Sequence, residues 1–172
     1  MKAIILVGSA DVAKKDIDSF REMCKDFDCM AIGVDAIDKC DVPINYIATY
    51  HYEDYEKIKE KMDKRGEDIF LIHHKDKRKN MPLLVNMVVP YEPPSGSSAL
   101  LGALAALGLG YKKIVLCGCP LSGRDGIGYD YSGFHKGWTN KSGTVRPFVR
   151  SMSGFVQGLL GAPTKEWLSE GE

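Results

Sequence analysis

The sequence predicts one α/β domain: a three-layer, doubly wound and mainly parallel sheet of the Rossmann type. Two observations carry this prediction. Uninterrupted aliphatic runs, such as Ala3–Val7 and the one within Lys113–Cys119, are typical of strands covered on both faces. Segments with helical spacing alternate with these runs, and strands that alternate with helices favour right-handed crossovers in a parallel sheet. Ligands of such sheets bind outside the carboxyl ends of the strands.

Composition bounds the fold and the partners. A chain of 172 residues that is 44% hydrophobic can bury one core, so we expect one domain over residues 1–168 and a flexible tail over 169–172. Lysine plus arginine equals aspartate plus glutamate at 23 each, so no net charge attracts nucleic acid or an anionic membrane. No run approaches the roughly 18 apolar residues of a membrane span.

The cysteines and the start of the chain indicate a reducing compartment. The five cysteines are an odd number without zinc-type pairs, and no signal-peptide pattern is present. We therefore expect a cytoplasmic protein with reduced thiols. Cys117 and Cys119 close a predicted strand, where we interpret them as core residues.

The first predicted unit is a strand, a loop and a helix. Ala3–Val7 ends at Gly8-Ser9, and Ile17, Phe20 and Met23 then recur at the spacing of one helical face. The segments that follow give further elements in the same alternation: strands at Cys29–Val34, Asn45–Thr49 and Ile69–Ile72, a helix from Tyr55 that breaks at Gly66, and an apolar segment at Leu83–Val89.

A polar turn before a helix of small residues is the most informative feature of the chain. Ser95-Gly96-Ser97 opens the helical segment Ala99–Leu107, after two prolines that fix an extended approach. A helix start leaves backbone N–H groups unpaired at the positive end of the helix dipole, which favours a bound phosphate or carboxylate. The sequence therefore predicts a nucleotide here, although Ser95 could equally act as a helix cap alone.

The last third of the chain contains a region with little apolar periodicity. Residues 120–142 are rich in glycine, proline and aromatic residues, which predicts a long loop acting as a lid or binding loop. A final helix is expected over Arg146–Leu160. The small-residue helix Ala99–Ala106 can pack against the sheet or against a second subunit, so a homo-oligomer stays open.

The residues Ser95-Gly96, Leu109–Leu116 and Gly118 resemble those of two related families. One is the bacterial sialyltransferases that use CMP-sialic acid, and the other contains the archaeal 6-hydroxymethylpterin diphosphokinase. The segments Val34-Asp35 and Tyr46–Thr49 also fit the second family. The resemblance extends over most of the chain and implies a nucleotide-binding transferase.

The resemblance also implies roles for single residues. His135 is similar in position to the histidine base of the sialyltransferases, and Tyr129 and Tyr131 fall where that family places tyrosine hydroxyls on the donor phosphate. It further implies nucleotide contacts for the residues after the first two strands and at the helix start: Gly8, Ser9, Asp35, Ser95, Gly96 and Ser97. The implied function is a glycosyltransferase that takes a nucleotide-activated sugar of the CMP type and holds no tightly bound cofactor.

Two other functions stay open at this point. A diphosphokinase would need Mg²⁺ held by carboxylates such as Asp11 and Asp35, and a non-catalytic nucleotide-binding protein would need only the helix start. The aromatic residues around His135 could also simply anchor a surface loop.

Two histidine groups have less specific patterns. His73-His74 precede a run of charged residues and either belong to a solvated turn or line the crevice at the strand ends. His51 lies close to Glu53 and Asp54, in an order that matches no specific metal site, so we predict no metal.

Overall fold

The computed structural model describes residues 2–74, 85–89, 97–122 and 130–170. In these ranges the strands are β1 Ala3–Val7, β2 Phe27–Ile32, β3 Tyr46–Ala48, β4 Leu71–His74, β5 Met87–Val89, β6 Ile114–Cys117 and β7 Val149–Ser151. The helices are α1 Ala13–Met23, α2 Tyr55–Arg65, α3 Ser98–Gly108, α4 Ser132–Val145, α5 Gly154–Leu160 and α6 Lys165–Ser169. Two 3₁₀ helices lie at Val34–Lys39 and Tyr52–Asp54.

The described strands form one parallel sheet, as the aliphatic runs predicted. Its order is β5-β4-β3-β2-β1-β6-β7, and all six neighbouring pairs are parallel. β1 lies in the middle, where Ile5 faces Cys29 of β2 on one side and Val115 of β6 on the other. The order of the strands reverses at β1, so its boundary with β6 is the switch point of the sheet.

Two apolar layers cover the two faces of the sheet. Alternate residues of β1 point to opposite layers, with Leu6 in one and Ile5 in the other. The first layer contains residues of α3, α4 and α5, and the second contains residues of α1, α2, the Val34–Lys39 3₁₀ helix and α6. This arrangement confirms the three-layer α/β fold.

The small residues of α3 allow the helix to lie close to the strands. A Cβ atom on Gly102 would come within 2.6 Å of the Ile32 side chain and 3.1 Å of Met30 Sδ. The α3 segment therefore packs against the sheet, while an oligomer stays a prediction.

The predicted loop over residues 120–142 is wrong in its second half, because α4 begins at Ser132. Trp138 and Val145 of α4 are fully buried in the α3 layer, and Phe134 packs against it. Five glycine and serine residues in this helix lower its intrinsic propensity, but burial of the tryptophan outweighs that cost.

The predicted helix over Arg146–Leu160 is also wrong in its first part. Residues Val149–Ser151 form β7 and pair with Ile114–Leu116 of β6, so only Gly154–Leu160 is helical. A short apolar segment has no periodicity that separates an edge strand from a helix turn, and here the unpaired edge of β6 decided the outcome.

The end of the described chain packs on the sheet. α6 runs to Ser169, and Trp167 is buried in the α1 layer. The domain boundary at residue 168 and the flexible tail stay predictions. None of the described helices combines the length and the apolar content needed to cross a membrane.

Candidate functional site at the carboxyl edge of the sheet

The carboxyl ends of the parallel strands place several of the predicted residues along one edge. Gly8 follows β1, Asp35 follows β2, His73-His74 end β4, and Ser97 precedes α3. His135 reaches this edge from the first turn of α4. Ser95, Gly96 and Tyr129 lie outside the described residues.

Gly8 is held by close packing at the switch point. Its N–H donates to Cys117 O at 2.8 Å, and a Cβ atom on Gly8 would lie 2.3 Å from Gly118 O. Gly118 has φ +65°, and its own added Cβ would lie 2.5 Å from Ala13 Cβ. The described contacts therefore explain both glycines by close backbone approach. The nucleotide contacts predicted for Gly8 and for half-buried Ser9 stay predictions.

A buried carboxyl group joins three elements at this point. Asp16, in the first turn of α1, is 6% exposed. Its Oδ2 atom accepts hydrogen bonds from Gly118 N and from Ser153 Oγ, each at 2.8 Å. The end of β6 and the turn after β7 are thereby fixed to the start of α1.

His135 is fixed between a carbonyl group and two aromatic rings. Its Nε2 atom lies 2.7 Å from Leu121 O. The imidazole stacks on Phe155, with centroids 3.9 Å apart and planes at 15°, and lies nearly parallel to Tyr131 at 6.4 Å. Because a carbonyl oxygen can only accept, Nε2 carries the hydrogen, and Nδ1 of the neutral ring carries the lone pair.

The backbone is strained at Leu121, the residue that bonds to His135. Leu121 has φ +49°, and among the described residues other than glycine it alone has a positive φ. Such a conformation costs on the order of 1 kcal/mol and persists where surrounding contacts enforce it, often at functional sites. Here the Leu121 carbonyl is the group that orients His135.

Tyr131 lies directly before α4 and is half-buried. Its ring contacts Phe134 edge-on at 6.0 Å as well as stacking on His135. The neighbouring Asp130 accepts a hydrogen bond from Ser132 N at 2.8 Å, and this bond lowers the pKa of the Asp130 carboxyl. The role of Tyr131 on a donor phosphate stays a prediction.

A second aromatic cluster lies at the ends of β3 and β4. His73 and His74 are 2% and 8% exposed, so they do not belong to a solvated turn. Their rings stack at 4.7 Å, and the His74 ring lies 4.3 Å from that of Tyr50. His73 Nδ1 donates to His74 O at 2.7 Å. The charged residues after His74 lie outside the described residues.

Ser97 and Asp35, also predicted to contact the nucleotide, lie in different elements of the structure. Ser97 caps α3, where its Oγ accepts from Leu100 N at 3.3 Å. Asp35 is exposed in the first turn of the Val34–Lys39 3₁₀ helix. The capping role of this serine turn is thus visible at Ser97, and the ligand contact stays a prediction.

Asp11, one of the two carboxylates suggested for Mg²⁺, is paired with a cation. Asp11 Oδ1 pairs with Lys39 Nζ at 2.9 Å, and His51 Nδ1 lies 3.2 Å from Glu53 Oε1. Within the described ranges, no group of three or more histidine, cysteine, aspartate or glutamate side chains is arranged to hold a metal ion.

The buried cysteines behave as core residues, as predicted for Cys117 and Cys119. Burial raises the pKa of the Cys119 thiol to about 12 and raises that of Cys117 well above its ordinary value, with the nearby Asp16 adding to both shifts. Cys29 Sγ lies 3.8 Å from Cys40 Sγ, and this contact together with burial raises the pKa of Cys29. None of the five cysteines forms a disulfide.

Two grooves lie at the opposite, amino edge of the sheet. One, of about 450 Å³, is lined by Lys2, Arg21 and Asp28 among others, and its neighbour, of about 370 Å³, shares Lys2 and extends to Lys165. Their cations are partly neutralised, because Lys2 Nζ lies 2.7 Å from Asp28 Oδ1 and Arg21 pairs with Asp41 at 2.9 Å.

Sequence reasoning missed Asp16, Leu121, Ser153 and Phe155. Asp16 alone had a signal: it lies four residues before Phe20 on the predicted apolar face of the first helix, where an acidic residue is unusual. The other three acquire their roles only from contacts between distant segments.

The comparisons with known proteins support the fold. No family model matches the chain, and no curated protein matches it. A solved structure, the MAf glycosyltransferase from Magnetospirillum magneticum AMB-1, is similar with a TM-score of 0.62 at 13% sequence identity. The match covers 91% of this chain and 33% of that one, so the present chain spans about a third of its length. The chain therefore has a glycosyltransferase-like fold.

Proposed function

We propose that this chain is a glycosyltransferase domain that binds a nucleotide-activated sugar at the carboxyl edge of its sheet, with His135 as general base. Two findings support the proposal: the glycosyltransferase-like fold and a histidine held in one orientation at the edge where such sheets bind ligands. The carbonyl of Leu121 carries the proposal. It accepts the hydrogen on Nε2 of His135, so Nδ1 is left as the proton acceptor.

The chemistry needs such an acceptor. In the transfer, an acceptor hydroxyl oxygen forms a bond to the anomeric carbon of the sugar, and the bond from that carbon to the phosphate oxygen breaks. The phosphate leaves with the electron pair, and the base takes the hydroxyl proton. A positioned base of this kind contributes about a hundredfold to ten-thousandfold in rate.

The sugar donor is proposed from the resemblance to the bacterial sialyltransferases. A CMP-type donor would place its phosphate near the start of α3, where Ser95, Gly96 and Ser97 precede the helix, and near Tyr129 and Tyr131.

The first experiment measures nucleotide binding. Thermal shifts with CMP, CDP, ATP and GTP, with and without Mg²⁺, are expected to show stabilisation by cytidine nucleotides that does not depend on Mg²⁺. Stabilisation by a triphosphate only with Mg²⁺ would favour a diphosphokinase instead. If no nucleotide stabilises the protein, the proposal is wrong.

The second experiment tests the base. Hydrolysis of a CMP-sugar without acceptor is measured for the wild type, for His135→Ala and for the control His51→Ala, which removes an exposed histidine at the same edge. We expect His135→Ala to lose at least about 99% of turnover while nucleotide binding persists. Turnover retained in His135→Ala would remove the base assignment, and nucleotide binding without wild-type turnover would indicate a non-catalytic protein.

A further inference from the structure

Asp16 is a buried polar residue that the proposed reaction does not use. It is 6% exposed, and no cation pairs with it among the residues that the structure describes. Burying a carboxyl group is costly unless hydrogen bonds compensate. Both of its bonds end on one oxygen, since Oδ2 accepts from Gly118 N and from Ser153 Oγ at 2.8 Å.

The first donor, Gly118 N, belongs to a short segment that contacts His135. Gly118 leads through Cys119 and Pro120 to Leu121, whose carbonyl oxygen lies 2.7 Å from His135 Nε2. This segment includes the strained φ of +49° at Leu121, so its path depends on contacts that hold it in place.

The second donor, Ser153 Oγ, belongs to another segment, which contacts the same imidazole ring. Ser153 leads to Phe155, whose ring stacks on His135 at 3.9 Å. The two segments also contact each other, because Phe155 N donates to Pro120 O at 2.8 Å and a Cβ atom on Gly154 would lie 2.0 Å from that oxygen.

The geometry points to Asp16 as the positioning residue of His135. One carboxyl oxygen anchors both segments that hold the imidazole: the one that fixes its tautomer and the one that stacks on its face. The consequence for catalysis rests on the proposed function, whereas the effect on the ring does not.

The first test is a measurement on the ring itself. Full-length protein labelled with ¹⁵N in its histidines gives imidazole nitrogen signals, and those of His135 are assigned by their loss in His135→Gln. In the wild type we expect a single tautomer protonated at Nε2. In Asp16→Leu, which removes the acceptor, we expect both nitrogen signals to move towards a mixture of the two tautomers.

The variants include a rescue and a matched control. Asp16→Asn keeps an oxygen that can accept both bonds and should restore the wild-type signals. Asp18→Asn alters an exposed carboxylate of the same helix and should leave them unchanged. Ser153→Ala removes only one of the two bonds, so it decides the question if Asp16→Leu does not fold. Unchanged His135 signals in a folded Asp16→Leu or in Ser153→Ala would overturn the inference.

The second readout is turnover. Small misplacement of a catalytic group lowers kcat by about ten- to a hundredfold, so Asp16→Leu or Ser153→Ala should lower kcat and leave KM nearly unchanged. If the His135 signals move but His135→Ala leaves turnover unchanged, the proposed base is wrong and the positioning by Asp16 stands. If His135→Ala abolishes turnover while the His135 signals do not respond to Asp16, the reverse holds.

Discussion

The two edges of the sheet use polar residues in different ways. At the carboxyl edge, the polar side chains of Asp16 and His135 are wholly or partly buried and bond to backbone atoms of distant segments. At the amino edge, the side chains of Lys2 and Asp26 are 46% and 86% exposed and form an ion pair beside an open groove.

This difference has a physical consequence. An exposed ion pair contributes little, because water and salt compete for both partners. A buried hydrogen bond to the backbone has no such competitor, so its loss leaves an unsatisfied group at a cost of about 1–3 kcal/mol. The buried bonds at the carboxyl edge are therefore expected to hold their groups more firmly than the exposed ion pairs at the amino edge do.

The largest expected contrast is in thiol reactivity. Cys24 lines a groove at the amino edge, while Cys119 is buried at the carboxyl edge with a pKa raised to about 12. That shift alone lowers the thiolate fraction of Cys119 at pH 8 by about a thousandfold relative to an ordinary cysteine. Iodoacetamide with peptide mass spectrometry should label Cys24 first in the native protein and all five cysteines in urea. Equal native labelling of Cys119 and Cys24 would contradict the contrast.

The next effect concerns backbone packing at the carboxyl edge. Gly154 has φ +74° and no room for a Cβ atom beside Pro120, whereas Gly158 in the same helix has open space. Gly154→Ala should lower the free energy of unfolding by about 3 kcal/mol or more, from combined overpacking and backbone strain. Gly158→Ala should raise it by about 0.5–1 kcal/mol, because alanine favours helix. Urea unfolding measures both, and similar values for the two variants would refute the close approach.

A smaller effect is expected at the amino edge from Tyr111. Its hydroxyl donates to Asp28 Oδ2 and lies 3.2 Å from the Tyr46 hydroxyl. Burial, together with these bonds, raises the pKa of Tyr111 well above its ordinary value. Tyr111→Phe should lower the free energy of unfolding by about 1–2 kcal/mol at pH 7.

The same residue gives a pH dependence with a definite sign. Above pH 10 the unfolded tyrosine loses its proton while the folded one keeps it, so the native state is destabilised as pH rises, by up to about 1.4 kcal/mol per pH unit. Tyr111→Phe removes this contribution, and urea unfolding at pH 9 and pH 11 should show a smaller loss in the variant. An equal loss in both proteins would show that Tyr111 ionises normally.

The smallest effect is expected from the ion pair at the end of α6. Glu170 Oε2 lies 3.9 Å from Lys113 Nζ, and the glutamate side chain is 70% exposed. Glu170→Gln should change the free energy of unfolding by less than about 0.5 kcal/mol, and 0.5 M NaCl should abolish the difference. A change above 1 kcal/mol would mean that the amino edge is as firmly fixed as the carboxyl edge.

Much of the fold could be predicted from local patterns. The aliphatic runs at Ala3–Val7 and Ile114–Cys117 identified buried strands, and the small residues of α3 predicted a helix that packs closely either on the sheet or on a second subunit. The strand β7 and the helix α4 could not be found in this way. Val149–Ser151 is extended because it pairs with the edge of β6. The glycine-rich segment Ser132–Val145 is helical because the helix places Trp138 in the buried core.

The candidate site was predictable only in part. His135 was singled out by resemblance, but its tautomer depends on Leu121, fourteen positions away in the chain. Sequence patterns gave no reason to connect the two. His73 and His74 at the end of β4 were singled out from the sequence. Their burial was not expected, because charged residues follow them in the chain.

The chain alone determined which segments are strands, which helices are apolar on one face, and that the strands run parallel, since periodicity and burial are local properties. The tertiary structure decided which polar groups meet. Asp16 bonds to Gly118, 102 positions away, and to Ser153, 137 positions away. Such pairs form because the strand order brings the ends of β1, β6 and β7 to one edge, and no pattern of neighbouring residues encodes that proximity.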